Sequence, residues 1–154
     1  MDRTRAYISS TGMYFPEKRV TNDEFAKTMD TSDQWIRERT GIAERRFSAD
    51  GEATSDMAAK AALDCLEHAG VSPDEVEVII VCSVTPDMMF PSTACLVQNK
   101  IKASKAWGFD LSAACSGFVF GLTTGAQMIE SGNFKKVLVI GADTMTSIVD
   151  FTDR

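Results

Sequence analysis

Histidine is almost missing from this 154-residue chain: there is one, His68. The four cysteines, Cys65, Cys82, Cys95 and Cys115, include no C-x-x-C pair. Together these gaps leave no ligand set for a zinc site, so no metal is expected. Basic residues are outnumbered, 16 Lys and Arg against 22 Asp and Glu, for a net charge of −6. No basic stripe interleaved with aromatics offsets that balance, which argues against a nucleic-acid surface. The first ten residues lack the apolar stretch of a secretory signal, so reduced thiols and a cytoplasmic setting are expected. The longest apolar-rich run surrounds Cys115, but Ser112, Ser116, Thr123 and Thr124 interrupt it. It is too short and too polar to span a bilayer. Short-period repeats and low-complexity tracts are absent as well.

What is present is the composition of one globular domain, 44% hydrophobic and 25% charged, long enough to bury a core. The segment 6–16 reads as a strand ending at Pro16. Short helices are expected over 22–29 and 31–41, the second capped by Thr31 or Ser32 and closed by Gly41. A polar loop, 48–56, leads to an amphipathic helix over 56–70, with Cys65 on its apolar side and His68 on its wet side. Residues 76–85 form an apolar, β-branched run expected to be a strand buried on both faces. A helix is then expected after Pro91, a short strand over 105–113, a long helix over 115–132 and a second buried strand over 135–143. Alternating strands and helices indicate an α/β fold with a parallel or mixed sheet. Gly117, Gly121 and Gly125 line one face of the long helix, which is read as a central core helix packed closely on a neighbouring helix.

Cysteine chemistry is the open question. Cys65 and Cys82 read as core thiols, and Cys95, in the first turn of its helix, is ambiguous. Cys115 differs, because it stands where a strand hands over to a helix, between Ala113, Ala114 and Gly117. Unpaired N–H groups and the helix dipole favour a thiolate there, and the same turn can offer an N–H to a developing oxyanion. From the residues alone both readings stand, nucleophile and buried thiol.

Three motifs in order, TSDQWIRERTGI (31–42), DLSAACSGFVFGL (110–122) and a strand ending VIGAD, together with FPSTAC (90–95) and TDR (152–154), resemble β-ketoacyl-acyl carrier protein synthase III. That family belongs to the thiolase-like condensing enzymes. The resemblance covers the whole chain, 1–154. It implies the N-terminal half of a layered αβαβα fold, with a mixed sheet and a buried central helix.

By the same resemblance Cys115 is the acyl-accepting nucleophile. Thr31, Trp35, Arg39 and Arg154 contact coenzyme A, and Phe90 shapes the acyl pocket across a homodimer. The implied reaction takes acyl-CoA, as substrate and not as cofactor, and condenses its acyl group with malonyl-acyl carrier protein. The family's histidine and asparagine would come from a missing C-terminal half, so this chain alone is expected not to turn over. Two alternatives accompany that expectation. One is another thiolase-like synthase, such as a hydroxymethylglutaryl-CoA synthase or a quinolone or polyketide starter enzyme. The other is a non-catalytic half-chain assembly subunit. Lys100, Lys102, Lys105, Lys135 and Lys136 read as solvated residues and receive no docking role.

Overall fold

The computed structural model describes residues 5–153. They fall into two units, one of residues 5–14 with Ala53–Asp143, the other of Phe15–Glu52 with residues 144–153.

In the first unit three strands, β3 (Val78–Cys82), β4 (Trp107–Leu111) and β5 (Val137–Gly141), pair in the order β4-β3-β5, all parallel. Helices α3 (Thr54–Ala69) and α4 (Thr93–Ile101) cover one face, and α5 (Gly117–Glu130) lies on the other. The period of two in β3 divides its side chains between the layers. Ile79 and Val81 join Ala58, Ala62 and Leu66 of α3 and Ala94, Val97 and Ile101 of α4. Val78, Ile80 and Cys82 face the α5 side with Phe109, Leu111 and Val139. All five β3 residues are buried, each apolar side chain contributing about 1.5–3 kcal/mol by leaving water.

The expectation of full burial holds for β3 and not for β5, whose residues alternate between buried and half-buried up to an exposed Gly141. Within this sheet β5 is an edge, and only the central strand has neighbours on both sides. Residues 6–16 are likewise not a strand. This segment crosses α3 instead, Ser10 Oγ donating to the Cys65 carbonyl (3.1 Å) and the Met13 N–H to Asp64 (2.9 Å).

The glycine face of α5 packs on the sheet, which corrects the expected helix neighbour. A Cβ on Gly121 would stand 2.5 Å from Cys82 Sγ and 2.9 Å from Val139 Cγ1. Glycine is needed here because the sheet's own side chains fill the gap. Only Gly117, Gly121 and Gly125 of this helix are buried. Val119 and Phe120 on its other side are 60% and 53% exposed, and Phe118, at the flank beside Gly141, is 46% exposed, so the core helix is buried on one face within this chain.

The second unit holds β1 (Lys18–Thr21) and β2 (Glu44–Phe47), an antiparallel pair, with α1 (Asn22–Phe25) and α2 (Asp33–Thr40). Phe25, Phe47 and Phe151 cluster with ring centroids 4.8–6.1 Å apart. The sequence KRVT and ERRF gives little strand pattern, since four of these eight residues are basic. Pairing with each other and packing on the phenylalanine cluster hold them extended.

Two carboxylates tie elements of the first unit together. Glu77 accepts the backbone N–H groups of Lys135 and Lys136, fixing the entry to β5, and those bonds hold its carboxyl below the usual range. Asp56 is lowered mainly by the Lys100 ammonium, which joins α3 to α4, and then by the Ala53 N–H at the start of α3. Both folded values lie below the unfolded ones. Their stabilisation is therefore complete above about pH 5, where the unfolded carboxyls are also ionised, and is lost as pH falls through the folded values. Thermal melts between pH 5 and pH 3 should show falling stability, with a flatter acid limb in Glu77→Gln. An unchanged limb in that variant would remove Glu77 from the account.

Candidate active site

In a parallel sheet, ligands gather at the carboxyl ends of the strands, where chains leave for the next helix. Cys115 stands there. After β4 the chain makes a 3-10 turn, Ala114–Ser116, before α5 begins at Gly117. Ala114 has φ +45°, a left-handed conformation for a residue with a Cβ, which costs about 1–2 kcal/mol. Strain of this kind persists only where surrounding structure imposes it. Its effect is to present the next residue, and the Cys115 side chain is exposed. The expected strand-to-helix turn is therefore present, sharper than the sequence suggested.

The other cysteines separate by environment. Cys82 is buried, and burial pushes its thiol pKa up, so it is an inert core thiol. Cys65 is half-buried and packs against the α3 side of the core. Cys95 is exposed, its sulfur accepting from Ser92 Oγ at 3.2 Å. Exposure alone thus does not distinguish Cys95 from Cys115; the backbone does, Cys95 lying within regular helix. His68 is exposed on α3 with Nδ1 3.7 Å from Asp64, as its wet-side position predicted.

Three aspartates brace the loops at this end of the sheet. Asp110, the fourth residue of β4, accepts the N–H groups of Thr93 (2.7 Å) and Ala94 (2.8 Å) in the first turn of α4. A carboxylate at a helix start satisfies donors that have no partner in the helix. FPSTAC and DLSAAC, separate in sequence, are joined through this one side chain. Asp143, just past β5, accepts from Ser83 Oγ, the Val84 N–H and Thr85 Oγ1 at 2.8–3.0 Å. Asp87 accepts the Ser55 N–H (2.8 Å) and hydroxyl (2.6 Å) at the start of α3. The loop between β3 and α4 is held at its base, middle and end, while Met89 and Phe90 at its tip are 99% and 87% exposed. None of these roles was assigned from sequence, although an acid at the end of an apolar strand was a signal for Asp110 and Asp143.

In the second unit, Ser32 caps α2 by accepting the Trp35 N–H at 3.1 Å, settling the choice between Thr31 and Ser32. Trp35 and Arg39 are four residues apart and share a face, the guanidinium lying 4.5 Å from the indole ring. The Thr31 hydroxyl is buried with no hydrogen-bond partner among the described residues. A flat aromatic face, a guanidinium and an unsatisfied hydroxyl on one short segment suit a nucleotide. Arg154 lies outside the described residues. Among the described residues no group of three or more His, Cys, Asp or Glu could hold a metal, and no helix is long and apolar enough to cross a membrane.

Comparison with known proteins bears on the same residues. The family model for 3-oxoacyl-(acyl-carrier-protein) synthase III matches residues 109–154, which include Cys115. A β-ketoacyl-acyl carrier protein synthase III of Chlorobaculum tepidum is 58% identical over 151 residues, 97% of this chain and 46% of that protein. The crystal structure of 3-oxoacyl-acyl carrier protein synthase III from Aquifex aeolicus superposes with a TM-score of 0.92 at 48% identity, over 96% of this chain and 47% of that one. The priming β-ketosynthase of a polyketide biosynthetic pathway superposes with a TM-score of 0.95 at 36% identity, over 99% and 46%. The chain spans about half the length of the curated relatives it matches. By sequence and fold it belongs to the β-ketoacyl-acyl carrier protein synthase III family, as a segment of about half their length.

Proposed function

We propose that this chain supplies the acyl-accepting half of a condensing enzyme that starts fatty-acid chains. Cys115 attacks the thioester carbonyl of acetyl-CoA. A tetrahedral oxyanion forms, the coenzyme A thiolate leaves, and the acetyl group remains as a thioester on Cys115. The observation that carries this reading is the strained Ala114 immediately before an exposed Cys115 at the carboxyl end of a parallel strand.

The second unit takes the nucleotide end of the substrate. Trp35 stacks on the adenine, Arg39 meets the ring or a phosphate, and the orphaned Thr31 hydroxyl finds a partner; Arg154 is a further contact. Phe90 belongs to the acyl pocket of a dimer mate, and its 87% exposure leaves it available for that role. Malonyl-acyl carrier protein is the second substrate. Its decarboxylation needs a histidine and an asparagine from a complementing half, since the only histidine here is on α3. Condensation is assigned to the complete, dimeric enzyme in the cytoplasm.

Incubation with radiolabelled acetyl-CoA tests the assignment. Label is expected on Cys115, lost in Cys115→Ser and kept in Cys95→Ser. No label even when the complementing half is supplied would favour a purely assembling subunit. A second reading, a polyketide-type priming enzyme, is favoured by the superposition with the priming β-ketosynthase. It predicts faster acylation by an acyl-CoA other than acetyl-CoA.

A further inference from the structure

We infer that Asn22 is a positioning residue for the nucleotide end of the substrate, setting the helix that carries Trp35 and Arg39. The inference rests on the role proposed above for that pair. Asn22 is 1% exposed. Its Nδ2 donates to Asp33 Oδ1 (2.9 Å) and to the Ile42 carbonyl (2.8 Å), and its Oδ1 accepts from Arg45 Nη1 (2.9 Å). Asp33 is the first residue of α2, and Ile42 directly follows Gly41, which ends it. Gly41, at φ +72°, makes the left-handed turn that closes the helix. One buried amide therefore holds both ends of the same helix.

An eight-residue helix has little stability of its own, so its orientation is set by what it is tied to. Ile36 is its one buried residue. A single apolar anchor resists rotation about the helix axis poorly, and the two bonds from Asn22 supply that resistance at the ends. Asp33 is shared as well, both oxygens meeting Arg37 Nε. Arg45, the acceptor's partner, also lies 4.9 Å from the Phe25 ring, which links the amide to the aromatic cluster. Trp35 and Arg39 stand on a helix whose setting thus depends on the donor pair of Asn22.

Asn22→Asp keeps the shape and the Arg45 contact while replacing the donor with an oxygen. That oxygen faces the Asp33 carboxylate and the Ile42 carbonyl. In the complete enzyme the readout is the ratio of kcat/KM for acetyl-CoA to that for acetyl-pantetheine, which lacks the nucleotide. Asn22→Asp is expected to lower the ratio about tenfold through the KM for acetyl-CoA, with kcat and the acetyl-pantetheine rate kept. Adding Asp33→Asn returns a donor to the pair and is expected to recover part of the loss. If Asn22→Asp does not fold, Asn22→Ser, which keeps one shorter donor, takes its place. Equal losses for both substrates, or an unchanged ratio, would overturn the inference. Trp35→Ala separates the two levels. If it leaves the ratio unchanged, the nucleotide role itself fails; if it lowers the ratio while the Asn22 variants do not, only the role of Asn22 fails.

Discussion

In the complete enzyme, Cys115→Ser is expected to slow condensation by about a thousandfold or more. A serine hydroxyl at the same position is far less ionised and a poorer nucleophile, so the acyl-enzyme does not form at a useful rate. Cys95→Ser should remain near wild type, because its sulfur sits in regular helix beside Ser92. Ala114 gives the same prediction a structural arm. At φ +45°, Ala114→Gly relieves strain, and stability should hold or rise by up to about 1 kcal/mol. Acylation should stay close to wild type, since the turn is preserved. Ala114→Val places a β-branched residue in that conformation and should reduce both stability and acylation. Acylation rates and urea melts on the two Ala114 variants, beside wild type, read both quantities. Normal acylation in a stable Ala114→Val protein would show that the turn does not aim the thiol.

Gly121→Ala should lose stability through a single added methyl group. Alanine favours helix by about 1 kcal/mol, yet here its Cβ meets buried Cys82 Sγ at 2.5 Å and Val139 at 2.9 Å. Overpacking a close-fitted interior costs about 1–3 kcal/mol or more, so the clash wins and a net loss of about 2 kcal/mol is expected. Cys82→Ala in the same chain removes the sulfur and should recover part of it, a coupling that a double-mutant cycle measures directly. Gly117→Ala is the control. Its nearest contact is 3.5 Å away, and its stability should be unchanged or slightly raised. Equal effects at positions 117 and 121 would disprove the close approach of α5 to the sheet.

The elements easiest to read from sequence were those whose pattern depends on burial alone. The run VIIVC could only be a central strand, and the apolar face of α3, closed by Gly70 and followed by Pro73, announced its own length. The same reasoning failed where the pattern was faint. It missed β1 and β2, whose charged residues carry no alternation, and it read residues 6–16 as a strand when they lie across α3.

Cys115 was legible because strand, small residues and helix are consecutive in the chain, and local order is what sequence records. The same holds for Trp35 and Arg39, whose spacing of four puts them on one side of α2. The bracing residues were not legible. Asp110 reaches back to Thr93 and Ala94, Asp143 to Ser83, Val84 and Thr85, and Asn22 forward to Asp33, Ile42 and Arg45. A side chain's polarity is written in the sequence, but its partner is chosen by which backbone groups the packed core leaves unpaired beside it. Sequence by itself thus determined the α/β layering and the presence of a cysteine at a helix entrance. Only the tertiary structure decided that Ala114 is strained, that α5 lies on the sheet through its glycines, which carboxylates hold the loops at the Cys115 end of the first unit's sheet, and which amide holds α2 in the second unit.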